Sequence, residues 1–292
     1  MPRVTKLSKW LASSVNTVPN RSYRHRVLKE TSGGWQEVEA QLKRYFRRAH
    51  SDAVRRLRRL ATGSLHPLRR KKSFSDPAKN YPHALDLTTL KGYFGEVISS
   101  AVAESFDVCG HNDWEVPGFL FRVHVGLFQK LEAQRLTGGP IGAPFGRTGD
   151  DSLAFRRDDS GAITGVLYCE AKCSAEHDTS LIADAHEKVN GPGPLDVLSI
   201  IEMLLDSREA DSDKWVDALR TYRETLPHGI IPRFDVVCYT CGKSPTLNPT
   251  WMDTKGPHPS YKPSGRQLES VEIHLLNVVK TIRAIYSPEG WA

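Results

Sequence analysis

The chain has 292 residues, 39% of them hydrophobic and 25% charged, the composition of one large or two modest folded domains and not of a disordered chain. No run approaches eighteen apolar residues, so no membrane-spanning helix and no membrane partner is expected. Five cysteines, an odd and low count for this length, argue against a secreted disulfide framework and for a reducing, cytoplasmic compartment.

The net charge of +6 hides an asymmetry. Residues 1–80 carry 20 Lys and Arg against five acids (Glu30, Glu37, Glu39, Asp52 and Asp76), a net of +15, which leaves −9 on residues 81–292. This split predicts a basic helical N-terminal arm over 1–80 and a separate body over 81–292. A polyanionic partner, most commonly nucleic acid, would neutralise the arm. Docking of the arm on the acidic body would do the same, and charge alone does not separate the two. The first 29 residues hold no acid and resemble a mitochondrial transit peptide in composition, without the apolar core of a secretory signal.

In chain order, Trp35, Val38, Leu42, Tyr45, Phe46, Ala49, Ala53, Leu57 and Leu60 recur at helical spacing and predict one helix over 35–61. Off that stripe stand Lys43, Arg44, Arg47, Arg48, Arg55, Arg56, Arg58 and Arg59 with Asp52 as the one acid among them. Self-repulsion on this scale is relieved by an anionic partner, although long basic side chains also decorate solvated faces. Residues 62–84 read as a basic, Pro-containing linker that includes Arg69, Arg70, Lys71 and Lys72. Asp86 is a plausible N-cap for a helix running to about Phe106, with Leu87, Leu90, Phe94, Val97, Ile98, Ala101 and Val102 as its buried stripe. A third helix is expected over 125–136. The period then changes: 152–156 and 162–173 are strands joined by the turn signal Asp158-Asp-Ser-Gly161. Helices are expected at 178–189, 195–206 and 211–226, strands at 234–241 and 271–275, a Pro-rich loop over 244–263 and a C-terminal helix. This order indicates an α/β domain with a mixed sheet flanked by helices.

Alternation along the second strand of the hairpin places Tyr168, Glu170 and Lys172 on one face and Leu167, Cys169, Ala171 and Cys173 on the other. The second set suits a core, leaving a carboxylate and an ammonium on an open face. Gly149-Asp-Asp-Ser152 precedes the partner strand. A two- or four-residue turn sets residue 149 opposite Glu170 with Asp151 diagonal to it, and a three-residue turn with a bulge sets Asp150 opposite instead. Two converging carboxylates repel unless a cation lies between them, and Mg²⁺, or Mn²⁺ in its place, is the cation that takes oxygen ligands.

An Asp followed by Glu-x-Lys on the next strand of a hairpin resembles the PD-(D/E)xK nuclease superfamily, here as Gly149-Asp150-Asp151 and Glu170-Ala171-Lys172. Glu96, in Lys91-Gly-Tyr-Phe-Gly-Glu-Val-Ile98, stands where that superfamily often adds a helical Glu. The ordered set resembles the nuclease-subunit family of the Hachiman anti-phage system, over residues 86–240. The resemblance implies a restriction-endonuclease-like fold and Mg²⁺-dependent hydrolysis of DNA. Metal would be held by Asp151 or Asp150, Glu170 and Glu96, Lys172 would be catalytic, and a helicase or ATPase subunit would be the partner. The doubled Asp, and Gly149 where the superfamily has Pro, are departures.

The other class of function is a non-catalytic module of degenerate nuclease fold that binds nucleic acid or a partner protein. Cys238-Tyr-Thr-Cys241 with Cys169 and Cys173 offers a weaker zinc alternative. His111, His124, His177, His186 and His274 are scattered and suit surface or satisfied core positions. No Gly-Lys-Ser/Thr phosphate loop occurs, so an ATP-driven step requires another chain.

Overall fold

A computed structural model describes residues 3–18, 22–62, 76, 78–83, 85–119, 152–191, 197–207, 211–225, 231–263 and 265–288. The chain opens with α1 (Leu7–Trp10), β1 (Leu11–Thr17) and β2 (Tyr23–Glu30), then α2 (Gly34–Ala49) and α3 (Ser51–Thr62). Next come α4 (Leu87–Ser105), the hairpin β3 (Ser152–Arg157) and β4 (Ile163–Ser174), and the helices α5 (Thr179–Lys188), α6 (Val197–Ser207) and α7 (Ser212–Thr225). β5 (Arg233–Cys241), β6 (Gln267–His274) and α8 (Val278–Ile285) complete it. The strands form one sheet in the order β1-β2-β6-β5-β4-β3. β2, β6, β5 and β4 run parallel, and β1 and β3 flank them antiparallel. The fold is therefore mixed α/β, a central sheet between helical layers.

Each face of the sheet buries its own core. On one, Leu28, Leu167, Cys169, Val236, Cys238, Val271 and Ile273 pack with Phe46 of α2, Phe94, Val97 and Ile98 of α4, and Ile282 of α8. On the other, Val166, Tyr168, Val237, Tyr239 and Leu268 meet Ile182 of α5, Ile200 and Leu204 of α6, and Trp215 and Leu219 of α7. α4 begins as expected at Asp86, whose carboxylate accepts from the Thr88 and Thr89 amides, which satisfies two of the donors a helix start leaves open. The helix buries residues around most of its circumference, as a helix inside a protein does.

The N-terminal region departs from the sequence reading. Residues 1–80 are not a separate helical arm on a body of 81–292. β2 is an interior strand paired with β6, and Leu7, Trp10, Leu28, Leu42 and Phe46 are fully buried in the same core as α4. The polar residues of β1 (Leu-Ala-Ser-Ser-Val-Asn-Thr) fit an edge strand, six of whose seven residues are exposed. The expected single helix over 35–61 is two, broken at His50. That ring is buried and hydrogen-bonded to the hydroxyls of Tyr81 (2.7 Å) and Tyr286 (3.2 Å), which ties the break to two distant segments. The expected helix at 125–136 and the basic run Arg69–Lys72 lie outside the described residues. Among the described residues no helix is long and apolar enough to cross a membrane.

Because β2 and α2 belong to the core, deleting residues 1–80 should abolish cooperative unfolding of the remainder, where a separable arm would leave its midpoint unchanged. Phe46→Ala should cost about 3–5 kcal/mol in urea unfolding.

Candidate active site

The β3–β4 hairpin turns through Asp158, whose Oδ1 accepts from the amides of Ser160 (2.9 Å) and Ala162 (3.0 Å), and through Gly161 at φ +87°. That backbone angle suits a residue without a Cβ. Arg157 pairs with Ile163 but Arg156 with Gly165, so a bulge adds one residue to β4. Ser152 consequently faces Cys169, one or two positions beyond the registers the turn signal alone suggests. Asp150 and Asp151 lie outside the described residues. Asp151 is joined directly to Ser152, and Glu170 directly to its partner Cys169.

The two faces of β4 divide as the alternation predicts, but the face bearing Glu170 and Lys172 is not open. It is covered by α5, and only 5% of the Glu170 side chain and 14% of that of Lys172 are exposed. The Lys172 Nζ donates to Glu170 Oε1 at 2.7 Å and lies 2.8 Å from Asp184 Oδ2 on α5. Lys188, one turn further on α5, reaches Glu170 Oε1 at 3.7 Å and Asp184 Oδ2 at 3.3 Å. Burial disfavours the Lys172 ammonium, but the Glu170 charge and hydrogen bonds to Asp184 and Glu170 outweigh it and push its pKa up. Burial raises the Asp184 carboxyl and the two lysines more than offset it, so Asp184 stays below its ordinary value. Lys172 and Asp184 both therefore remain charged at neutral pH. Asp184 and Lys188 were not singled out from the sequence; their signal was a carboxylate and an ammonium four apart on the helix after Glu-x-Lys.

Glu96 is buried, 4% exposed, on α4 across the sheet from Lys172. At Gly95 the helix comes so near β4 that a Cβ there would stand 3.4 Å from the Cβ of Cys173. One turn later Ser99 Oγ is 3.4 Å from Ser152 Oγ. The two anchor points set the Glu96 backbone level with the Glu170 stretch of β4. Among the described residues no group of three or more His, Cys, Asp and Glu side chains is arranged to hold a metal; Asp150 and Asp151 are not among them.

The basic residues of α2 and α3 are largely matched inside the chain. Lys43 pairs with Glu39 at 2.8 Å, Arg55 and Arg56 with Asp52 at 3.6 and 2.8 Å, Arg58 with Asp76 at 2.6 Å and Arg59 with Asp206 of α6 at 2.6 Å. Arg44 and Arg47 are exposed, and Arg48 is half-buried. The zinc alternative fails on geometry. Cys238 points into the α4-side core and Cys241 into the other, because residues three apart on a strand face opposite ways. Cys169 and Cys238 are buried, and burial pushes the thiol of Cys238 up, away from the thiolate a metal needs. His186 is a satisfied core residue, bonded to the Ile182 carbonyl at 2.8 Å and to Ser270 Oγ at 3.2 Å, and burial pushes it down to about 4.

No protein-family model matches this chain, and no curated protein matches it in sequence.

The face that carries Lys172 continues across Tyr239 to a second buried carboxylate, Glu272. Its oxygens meet His25 Nε2 at 2.9 Å and His274 Nε2 at 2.7 Å, and accept from the amides of Trp251 (2.8 Å) and Met252 (2.6 Å). This cluster pins the 244–263 loop to the sheet. Burial alone would raise the Glu272 pKa, but these partners hold it down at about 2. A depressed carboxyl gives stability that is fully present above its unfolded value and lost as pH falls through the folded one. Wild type should therefore lose on the order of 3 kcal/mol of Glu272-dependent stability between about pH 4.5 and 2. Urea unfolding of Glu272→Gln across that window should show a correspondingly flatter pH dependence.

Proposed function

We propose that this chain is a metal-dependent nuclease of restriction-endonuclease-like fold, hydrolysing phosphodiester bonds of DNA with Glu170 and Lys172 at its centre. The observation that carries the reading is a buried carboxylate two residues from a cation on one strand, whose partner strand begins directly after an Asp pair in the sequence. Glu170, with Asp151 or Asp150, would hold Mg²⁺ or Mn²⁺; Glu96, carried by α4 on the opposite face of the sheet, is left out of the donor set. The donor set fits such an ion, being carboxylate oxygen throughout with no sulfur or imidazole. When bound, the metal polarises the phosphate and lowers the pKa of a coordinated water.

The chain's own residues supply orientation and charge. Lys172, held between Glu170 and Asp184, would act as a hydrogen-bond donor and positive charge. From that position it orients the attacking water and offsets charge that grows on the phosphoryl oxygens. The Ala171 side opposite packs into the α4 core, which fixes the strand beneath the reacting groups.

Arg44 and Arg47, exposed on α2 and outside the ion pairs above, would meet DNA phosphates, which position a substrate without reading its sequence. A helicase or ATPase partner and an anti-phage role rest on the motif resemblance alone. The second reading, a binding module that no longer cleaves, draws on the charge balance of the cluster: two ammoniums already match Glu170 and Asp184.

Glu170→Gln and Lys172→Ala should each abolish Mg²⁺-dependent cleavage of plasmid and linear DNA while leaving the circular dichroism close to wild type, with a melting temperature lowered by the loss of the buried ion pair. Retained cleavage in both variants would remove the assignment. Mg²⁺ or Mn²⁺ should raise the melting temperature of wild type but not of the Asp150→Asn/Asp151→Asn double variant. The non-catalytic module would show no metal effect in either protein.

DNA affinity should fall with salt with a log–log slope near −0.9 per phosphate contacted. The Arg44→Ala/Arg47→Ala variant should flatten that slope by about 2 on every sequence tested.

A further inference from the structure

Asp184 stands outside the three motifs, yet its carboxylate is as close to Lys172 as that of Glu170 is. The Lys172 Nζ lies 2.7 Å from Glu170 Oε1 on its own strand and 2.8 Å from Asp184 Oδ2 on the helix above. An ammonium has three N–H donors. Two carboxylates held by different elements use two of them, and together they fix where the third points. A single partner would leave the group free to rotate about the long, flexible lysine stem.

α5 is itself anchored. Asp178 caps its start by accepting from the Ser180 amide, and Ile182, Ala185 and His186 are buried beneath it. The position of Asp184 is thereby set by packing, while its side chain remains 45% exposed. Most surface ion pairs contribute little to stability. This one differs in holding a lysine whose side chain is only 14% exposed.

We propose that Asp184 is a positioning residue of this site, holding the Lys172 ammonium against Glu170 so that its remaining donor faces the substrate phosphate. The catalytic consequence rests on the hydrolytic reading above; the positioning itself does not. Lys188, at longer distances from the same two carboxylates, brings the cluster to two positive and two negative charges.

The experiment combines ammonium NMR on the full-length ¹⁵N-lysine-labelled chain with steady-state cleavage. Wild type should give a resolved, slowly exchanging Lys172 ammonium signal, assigned by its loss in Lys172→Arg. Asp184→Ala and Asp184→Asn should lose or broaden that signal. Asp184→Glu should restore it, and Glu187→Gln, an exposed charge change on the same helix, should leave it intact. Cleavage by Asp184→Asn should fall in kcat on the order of 10²-fold, the cost of misplacing a catalytic group by about 1 Å, with KM within about twofold.

An unaltered Lys172 signal in Asp184→Ala and Asp184→Asn would overturn the proposal, as would a loss expressed in KM alone. If wild type cleaves nothing, the hydrolytic reading fails, and the ammonium signal still decides whether Asp184 positions Lys172.

Discussion

Two carboxylates buried at the centre of the sheet, Glu269 and Glu272 of β6, constrain the rest of the molecule. Both are fully inaccessible, and a charge so placed must be matched by partners of its own. Glu269 is met on the α4 side by Arg26 Nε at 2.6 Å, Arg24 Nε at 3.2 Å and the Cys109 amide at 2.6 Å. Glu272 is met on the other side by His25 and His274. Arg24, His25 and Arg26 are consecutive residues of β2. Three successive side chains of one strand thus serve carboxylates on both faces of the next, which fixes the register of β2 on β6. A slip of one residue would exchange the faces and strand every one of these charges.

That arrangement explains where part of the N-terminal basic excess goes. Arg24 and Arg26 neutralise Glu269 and Asp107, and Arg59 neutralises Asp206. Docking of basic residues on the acidic body, one of the two outcomes the charge asymmetry allows, is realised at these positions. Arg44 and Arg47 remain exposed toward solvent. A net charge per segment therefore overstates the electrostatic footprint that an anionic partner would meet.

The candidate site follows from the same sheet. Parallel pairing of β4 with β5 buries Glu170 beside Val237 and sets Lys172 beside Tyr239. β3 closes the edge, and α4 and α5 clamp β4 from its two faces. The site is rigid on the strand and helix sides. Its acidic cluster is balanced by lysines drawn from β4 and α5.

Much of the fold was legible in local patterns. The Asp86 cap, the period-two alternation of 163–174 and the Asp158–Gly161 turn each act over a few residues, and each forms where expected. The division of Glu170 and Lys172 from Cys169 and Ala171 is likewise local, because side chains alternate along any strand. What escaped the sequence depends on distant partners. β2 was masked by its basic residues, whose burial makes sense only against Glu269 and Glu272, some 245 residues away, and β1 by polar residues that stay exposed at the sheet edge. The hairpin register turned on a bulge of one residue, which the turn motif does not encode. The pairing of Asp184 with Lys172 needed α5 to fold back over β4. Short-range sterics and hydrophobic period determine elements and the faces of strands. Only the tertiary structure decides which charges meet, because compensation of buried charge is a long-range condition that no local window contains.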